Sequence, residues 1–219
     1  MTTYNEICKD EKICTYIQAA DSVLSSMGYT EHSIAHVSRV ANTSKYIMKT
    51  LGYSDEDIEL AMIASHLHDI GNLVNRIEHA QSGAVMAFGI LKEFDFTPKQ
   101  IADIVSAIGN HDESTAFPVN PIAAALIIAD KTDVRRSRVR NIDFASFDIH
   151  DRVNYSVKKT SVKINEQKNE ILLKLDIDTR YGTVMDYFEI FLQRMILCRK
   201  AAEALKLDFK LNVNDRPML

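Results

Sequence analysis

A chain of 219 residues is long enough for one large domain, or for one domain with a small appendage, and it can bury a sizeable core. Its 46% hydrophobic and 26% charged residues are typical of a globular protein, and a net charge of -4 argues against general binding to nucleic acids or anionic membranes. No apolar run approaches the roughly 20 residues of a membrane helix, and no signal peptide is visible. Cys8, Cys14 and Cys198 have no metal-binding or redox spacing, which indicates reduced thiols and a cytoplasmic location.

The first 150 residues carry hydrophobic patterns of helical period, separated by glycine, proline and capping residues. We expect helices over about 5–27, 33–51, 55–70, 78–94, 98–108 and 122–134. Gly71 is expected to end the third helix in a left-handed conformation, and Pro121 to open the sixth. The sixth helix is apolar nearly all round, which predicts a place at the centre of the core.

The pattern changes near residue 150, and the sequence predicts an α+β protein with a helical domain over 1–150 and a small β-β-α-β domain over 151–219. A first strand is expected from Val153 to Ile164, with a bulge near Lys158-Lys159 where the alternation changes parity. A second strand, a long helix after Gly182 and a last strand complete the tail. The long helix is apolar on two neighbouring faces, so the excess should contact either the helical domain or a second subunit in a homodimer.

The most informative stretch lies at the end of the third predicted helix, where His68 and Asp69 follow an apolar segment. A carboxylate in such surroundings must be paired, hydrogen-bonded or bound to a metal. The candidate ligands are His36, His68, Asp69 and Asp130. Their two imidazole nitrogens and two carboxylates, without a thiolate, suit Mn, Fe, Co, Ni or Zn in a catalytic site with open positions. His79, His111 and Asp112 would supply a second metal, with Asp69 as the ligand shared by the two ions.

Residues from about 32 to 140 resemble the HD superfamily of metal-dependent phosphohydrolases. The matching pieces are His36-Val37-Ser38-Arg39-Val40, His68-Asp69-Ile70-Gly71 and Ala129-Asp130-Lys131. The resemblance implies that His36, His68, Asp69 and Asp130 are the metal ligands.

Two further pieces, residues 78–83 and 110–113, resemble the HD-GYP branch, which carries extra histidines for a second metal. The chain departs from that branch because it has His111-Asp112 in place of two adjacent histidines. It also lacks the Gly-Tyr-Pro signature after Glu113, so cleavage of cyclic di-GMP is not expected.

The expected reaction is hydrolysis of a phosphomonoester or phosphodiester, with a nucleotide-like substrate, by hydroxide formed on one or two divalent metals, Mn or Fe foremost. Asp69 and Lys131 are the expected catalytic residues. His32, Arg135 and Arg138 are expected to bind substrate, since guanidinium groups match phosphate oxygens.

Two further histidine positions lie outside the expected set of metal ligands. His66 is interpreted as structural, and His150-Asp151 as incidental to the chemistry. Two alternative functions stay open: a metal-containing nucleotide-binding regulatory module with little catalysis, and a di-iron oxygenase of the HD type.

Overall fold

The computed structural model describes residues 2–219 and confirms the α+β architecture, with helices first and a small sheet at the end. The helices are α1 (Tyr4–Ile7), α2 (Glu11–Ser26), α3 (Ile34–Leu51), α4 (Asp55–Leu67), α5 (His79–Leu91), α6 (Pro98–Gly109), α7 (Pro121–Lys131), α8 (Ile149–Ser156) and α9 (Val184–Ala204). The strands are β1 (Val157–Ile164), β2 (Glu170–Ile177), β3 (Asp208–Val213) and β4 (Arg216–Pro217). Short 3₁₀ turns lie at Ile70–Leu73, Arg136–Arg138 and Phe144–Ser146.

Helix α7 lies at the centre of the core, as its sequence predicted. Asn120 caps it by accepting a hydrogen bond from the Ala123 backbone N–H, and every residue from Ile122 to Ala129 is buried. The helix can be apolar all round because it packs against α3, α4, α6 and α9 on different sides. This packing fixes the position of Asp130, which lies in its last turn.

The sheet has the order β1-β2-β3-β4, and it lies after the helices in sequence. β1 pairs with β2 in antiparallel fashion, β2 pairs with β3 in parallel across the connecting α9, and the short β4 pairs with β3. A register shift between Val157 and Lys159 confirms the predicted bulge. Helix α9 contacts β3 and also α7, so the excess apolar surface of α9 packs against the helical part of the chain.

The predicted start of the first strand is wrong, because Val153 and Tyr155 belong to helix α8. Asp148 caps this helix by accepting from the Asp151 backbone N–H, and Asp151 lies in the first turn, where the helix dipole favours an acid. Three alternating apolar residues are too few to distinguish a strand from one helical turn.

The predicted left-handed conformation of Gly71 is also wrong; positive φ angles among the glycines occur at Gly28 and Gly52. Gly71 is instead required by a close approach of two backbones. A Cβ atom placed on it would lie 2.0 Å from the His79 carbonyl oxygen and 2.4 Å from the Gly83 nitrogen. The turn after α4 can therefore pack directly on α5 only because residue 71 has no side chain.

Within residues 2–219, no helix combines the length and the apolar character that crossing a membrane requires. Cys8, Cys14 and Cys198 are all free cysteines.

Candidate metal centre

Five helix ends converge on one buried cluster of histidine and aspartate side chains. His36 lies in the first turn of α3, His79 begins α5, and Asp130 lies in the last turn of α7. His68 follows the last residue of α4, and His111 follows α6 after one intervening residue. Ligands from α3, α4, α5, α6 and α7 are thus held by rigid helices rather than by mobile loops.

His68 and Asp69 are adjacent in sequence, and both face the cluster because the backbone changes from α-helical to 3₁₀ geometry between them. His68 still has helical backbone angles, whereas Asp69 has φ -95° and ψ 1° and leads into the 3₁₀ turn Ile70–Leu73. Asp69 therefore lies in the sparsely populated bridge region that active-site residues often adopt. Asn72 holds this turn, since its side-chain amide donates to the Asp69 carbonyl at 2.9 Å and to Asp69 Oδ1 at 3.0 Å.

The two carboxylate oxygens of Asp69 face two different sets of histidines. Asp69 Oδ2 lies 3.1 Å from His68 Nε2 and 3.6 Å from His36 Nε2. Asp69 Oδ1 lies 3.4 Å from His79 Nε2 and 4.0 Å from His111 Nε2. Asp130 joins the first set, with Oδ1 at 3.5 Å from His36 Nε2 and 3.6 Å from His68 Nε2. Asp69 consequently stands between two groups of ligand atoms.

The distances among these atoms are short enough for metal binding. Two groups have all their ligand atoms within 4.8 Å of one another; they are His36, His68 and Asp130, and His68, Asp69 and His111. His79 Nε2 lies 3.3 Å from His111 Nε2. Asp112 stands at the margin, because its Oδ1 is 3.8 Å from His79 Nε2 while its Oδ2 accepts a 2.6 Å hydrogen bond from the Ser114 hydroxyl.

The four cluster histidines share one hydrogen-bonding pattern at their second ring nitrogen. Each Nδ1 contacts an oxygen that can only accept a hydrogen bond. For His36 this is the Asp133 carboxylate at 2.8 Å. For the other three it is a backbone carbonyl: Ser65 at 2.8 Å from His68, Arg76 at 3.1 Å from His79, and Ile108 at 2.6 Å from His111. Each Nδ1 must therefore carry a hydrogen, which leaves Nε2, the ring nitrogen that faces the cluster, as the atom that can bind a metal once it is unprotonated.

This arrangement fits a divalent metal. His36 Nε2 and His68 Nε2 are buried and have no hydrogen-bond partner within residues 2–219, so two ring nitrogens stand ready for a ligand. The outer hydrogen bond on Nδ1 is the usual companion of a metal-binding histidine. An all-nitrogen-and-oxygen donor set suits Mn, Fe or Zn.

The protonation states of the two sides differ. Burial alone would lower the pKa of His68, but the carboxylates of Asp69 and Asp130 outweigh it and raise that pKa to about 10. Burial lowers the pKa of His111 to about 3, and the charge of His68 adds to the effect. Burial would raise the pKa of Asp69, but the positive charge of His68 and the close approach of the His36 and His68 rings hold that pKa well below its ordinary value. His68 therefore holds a proton that a metal would have to displace, whereas His111 is neutral.

Lys131 pairs with two carboxylates beside the cluster. Its Nζ lies 2.7 Å from Asp130 Oδ2 and 3.6 Å from Glu113 Oε1. The lysine thus fixes the outer oxygen of Asp130 and leaves Oδ1 facing the histidines. Burial would lower the pKa of Lys131, but Asp130 and Glu113 raise it above its ordinary value, so the lysine is charged.

A cavity of about 430 Å³ opens beside the cluster and is lined by Asp69, His79, Asp130 and Lys131. His32 and Arg138, both expected to bind substrate, line it as well. Arg135 lies outside this wall, and its guanidinium contacts Asp133, Ser137 and Glu31 instead.

The cavity also contains residues that sequence reasoning missed. His150 and Asp151, interpreted as incidental, line it from α8, while Arg76 and Arg194 add two positive charges. Asp133 lies outside the wall and holds His36 from behind. Asp133 lies three residues after Asp130, and this spacing could have predicted that both carboxylates lie near the cluster. Nothing in the sequence around Arg194 predicts its place in the cavity.

Part of this chain is similar to known proteins. The model of the HD domain family matches residues 33–135. The uncharacterized protein MJ1020 of Methanocaldococcus jannaschii is 26% identical, over 75% of this chain and 72% of the relative. The crystal structure of a predicted HD superfamily hydrolase from an uncultured Thermotogales bacterium is 25% identical, covers 57% of this chain and 67% of that chain, and has a TM-score of 0.46. HD domains bind divalent metals, and the histidine and aspartate cluster lies within the matched segment.

Proposed function

Because residues 33–135 match the model of the HD domain family, we propose that this chain is an HD-superfamily metal-dependent phosphohydrolase that acts on small nucleotide-like phosphoesters. The observation that carries the proposal is the position of Asp69, whose two oxygens face separate histidine sets at 3.1–3.6 Å and 3.4–4.0 Å. A carboxylate in this position suits a pair of divalent ions that share one bridging ligand.

The proposed ligands divide between the two sides of Asp69. His36, His68, Asp69 and Asp130 would hold one ion, and Asp69, His79 and His111 would hold the other, with Asp112 as a further ligand at the rim. Mn or Fe is preferred, since the set has imidazole and carboxylate donors and no thiolate.

When bound, the metal ions lower the pKa of water and polarise a phosphoryl oxygen, which is the chemistry that phosphoester hydrolysis requires. The chain's own residues hold these groups in place. Asn72 orients Asp69, Lys131 fixes Asp130, and Asp133 fixes the ring of His36. His32 and Arg138 line the cavity beside them and are placed to bind the substrate.

Four cationic side chains, which line the cavity together with the carboxylates of Asp69, Asp130, Asp148 and Asp151, support phosphate chemistry over the di-iron oxygenase alternative. Arg76, Lys131, Arg138 and Arg194 all line the same cavity, and such groups stabilise the charge that develops on phosphoryl oxygens. Activation of dioxygen has no comparable need for four cationic side chains.

The test combines metal analysis with turnover. Purified wild-type protein loaded with Mn²⁺ is expected to bind about two ions per chain and to hydrolyse nucleoside monophosphates or p-nitrophenyl phosphate. His79→Ala should retain about one ion, and Asp69→Asn should lose metal and activity while the circular dichroism spectrum is kept. Asp103→Asn is the matched control, because Asp103 pairs with Lys99 on the surface of α6.

The possible outcomes separate the candidate functions. Metal binding without turnover of any phosphoester would favour the regulatory module. Consumption of dioxygen by the iron-loaded protein would favour the oxygenase. Failure of the wild-type protein to take up any metal would refute all of the metal-dependent proposals.

A further inference from the structure

Arg194 comes from helix α9, outside the segment that matches the HD family, yet it lines the cavity beside the metal ligands. Helix α9 is held in place because it packs on α7, the helix that carries Asp130, and on the sheet through β3. The C-terminal part of the chain therefore supplies one wall of the candidate active site.

A line of alternating charges connects Arg194 to the cluster. Arg194 Nε lies 2.6 Å from Glu113 Oε1, and the same oxygen lies 3.6 Å from Lys131 Nζ. Lys131 in turn lies 2.7 Å from Asp130 Oδ2. Each carboxylate in this row lies next to a positive charge, so the ion pairs fix the positions of the four side chains relative to one another.

The free end of Arg194 distinguishes it from the other cavity cations. Arg138 donates through Nε and Nη1 to the carbonyl oxygens of Glu31 and Asp133, and Arg76 contacts Asn72 and His79. Arg194 forms an ion pair with Glu113 through Nε, a contact without hydrogen-bond geometry, and neither of its terminal nitrogens forms a hydrogen bond within residues 2–219. Its guanidinium lies 4.3 Å from the ring centroid of Phe191, which restricts its orientation.

We propose that Arg194 binds the phosphoryl group of the substrate through these two terminal nitrogens, so that the C-terminal segment completes the active site. This inference rests on the proposed phosphohydrolase function. A guanidinium held at Nε and open at both Nη atoms forms parallel hydrogen bonds to two phosphoryl oxygens. The added positive charge favours a dianionic phosphomonoester over a monoanionic diester, which names the preferred substrate class.

Binding of inorganic phosphate to the Mn²⁺-loaded protein tests the proposal without requiring turnover. Arg194→Ala should weaken phosphate binding about 10-fold or more, as expected from loss of a charge-assisted bidentate contact. Arg194→Lys should bind phosphate with an affinity between those of the wild type and Arg194→Ala, because lysine keeps the positive charge but lacks the paired N–H donors of a guanidinium. Arg199→Ala is the control, since Arg199 lies on the same helix, is exposed and pairs with Glu203. Metal content should be equal in all four proteins.

Hydrolysis assays then give the substrate class. Arg194→Ala should lower kcat/KM for a phosphomonoester more than for a phosphodiester, with most of the loss in KM. Unchanged phosphate affinity in Arg194→Ala, or no phosphate binding by the wild-type protein, would overturn the inference. Phosphate binding that depends on Arg194 without any turnover would instead refute the phosphohydrolase function and leave the binding site standing.

Discussion

His36 and Asp133 form a buried pair behind the metal centre, with His36 Nδ1 donating to Asp133 Oδ2 at 2.8 Å. The other oxygen of Asp133 accepts a hydrogen bond from Arg135 Nε at 3.1 Å and forms an ion pair with Arg39 Nε at 2.9 Å. Burial would raise the pKa of this carboxyl, but the hydrogen bond from His36 and the neighbouring arginines hold it well below its usual range. Asp133 is therefore ionised and fixes the orientation of the His36 ring.

Replacement of Asp133 by Asn tests this positioning role. Asn keeps the shape but loses the charge, and its amide can turn an N–H toward His36, which would favour the wrong tautomer of the ring. We expect metal affinity to fall by about 10-fold to 100-fold. Calorimetric titration with Mn²⁺ measures the change. Asp178→Asn is the matched control, because Asp178 is also a buried carboxylate paired with an arginine, Arg180. Equal affinities for the two variants would contradict the role of Asp133.

Metal affinity should rise with pH. The pKa of His68 is raised to about 10, so in the metal-free protein the ring holds a proton throughout the neutral range. A metal binds only the neutral ring, and each proton that it displaces makes affinity rise roughly tenfold per pH unit below that pKa. The pKa of His111 is lowered to about 3, so that ring is already neutral and adds no slope.

Titrations with Mn²⁺ between about pH 6 and pH 7.5 measure this dependence. Repeating them in buffers with different ionisation enthalpies counts the released protons directly. An affinity that stays constant over this range would show that His68 carries no proton in the metal-free protein.

Substitution of Gly71 should damage the centre by moving α5. A Cβ atom at this position would lie 2.0 Å from the His79 carbonyl oxygen, so the backbone of α5 must shift and take the His79 ring with it. Gly71→Ala is expected to cost about 1–3 kcal/mol in the free energy of unfolding and to weaken binding of the metal on the His79 side.

Gly89→Ala is the control for this prediction, because Gly89 lies on the same helix and nothing is found within 4 Å of an added Cβ. That change should stabilise the protein by about 0.5–1 kcal/mol, since alanine restricts the unfolded chain and favours the helix. Urea unfolding and metal analysis measure both effects. Equal stability of the two variants would show that the turn can move away from α5 without loss.

Most helices and most residues of the candidate site could be predicted because each rests on local sequence. His36, His68 and Asp130 stand at the ends of apolar helical segments, where an ionisable residue requires a reason. The burial of α7 on every side likewise follows from its composition. Most helices were predictable to within a few residues at their ends, as for Ile34–Leu51 against the expected 33–51. The single helix expected over 5–27 was wrong, because the chain forms two helices there, Tyr4–Ile7 and Glu11–Ser26, and Asp10 caps the second.

The remaining features depend on long-range packing, which local patterns do not encode. Arg194 reaches the cavity only because α9 packs on α7, a contact between segments about 60 residues apart in sequence. Gly71 has no special backbone angle, and its role depends on the approach of α5. Helix α8 was mistaken for a strand because its apolar residues are few, and the residues that it adds to the cavity were consequently missed.

The pair between Lys131 and Asp130 should couple stability to metal binding. Lys131 is buried, and Lys131→Met would leave the carboxylates of Asp130 and Glu113 without that partner, at a cost of about 3–5 kcal/mol in the metal-free protein. A bound divalent ion neutralises Asp130, so Mn²⁺ should raise the melting temperature of Lys131→Met more than that of the wild type. Thermal unfolding with and without Mn²⁺ measures both values. Lys99→Met, which removes an exposed lysine paired with Asp103, should change neither. A metal-free Lys131→Met protein as stable as the wild type would show that Asp130 is neutral before the metal binds.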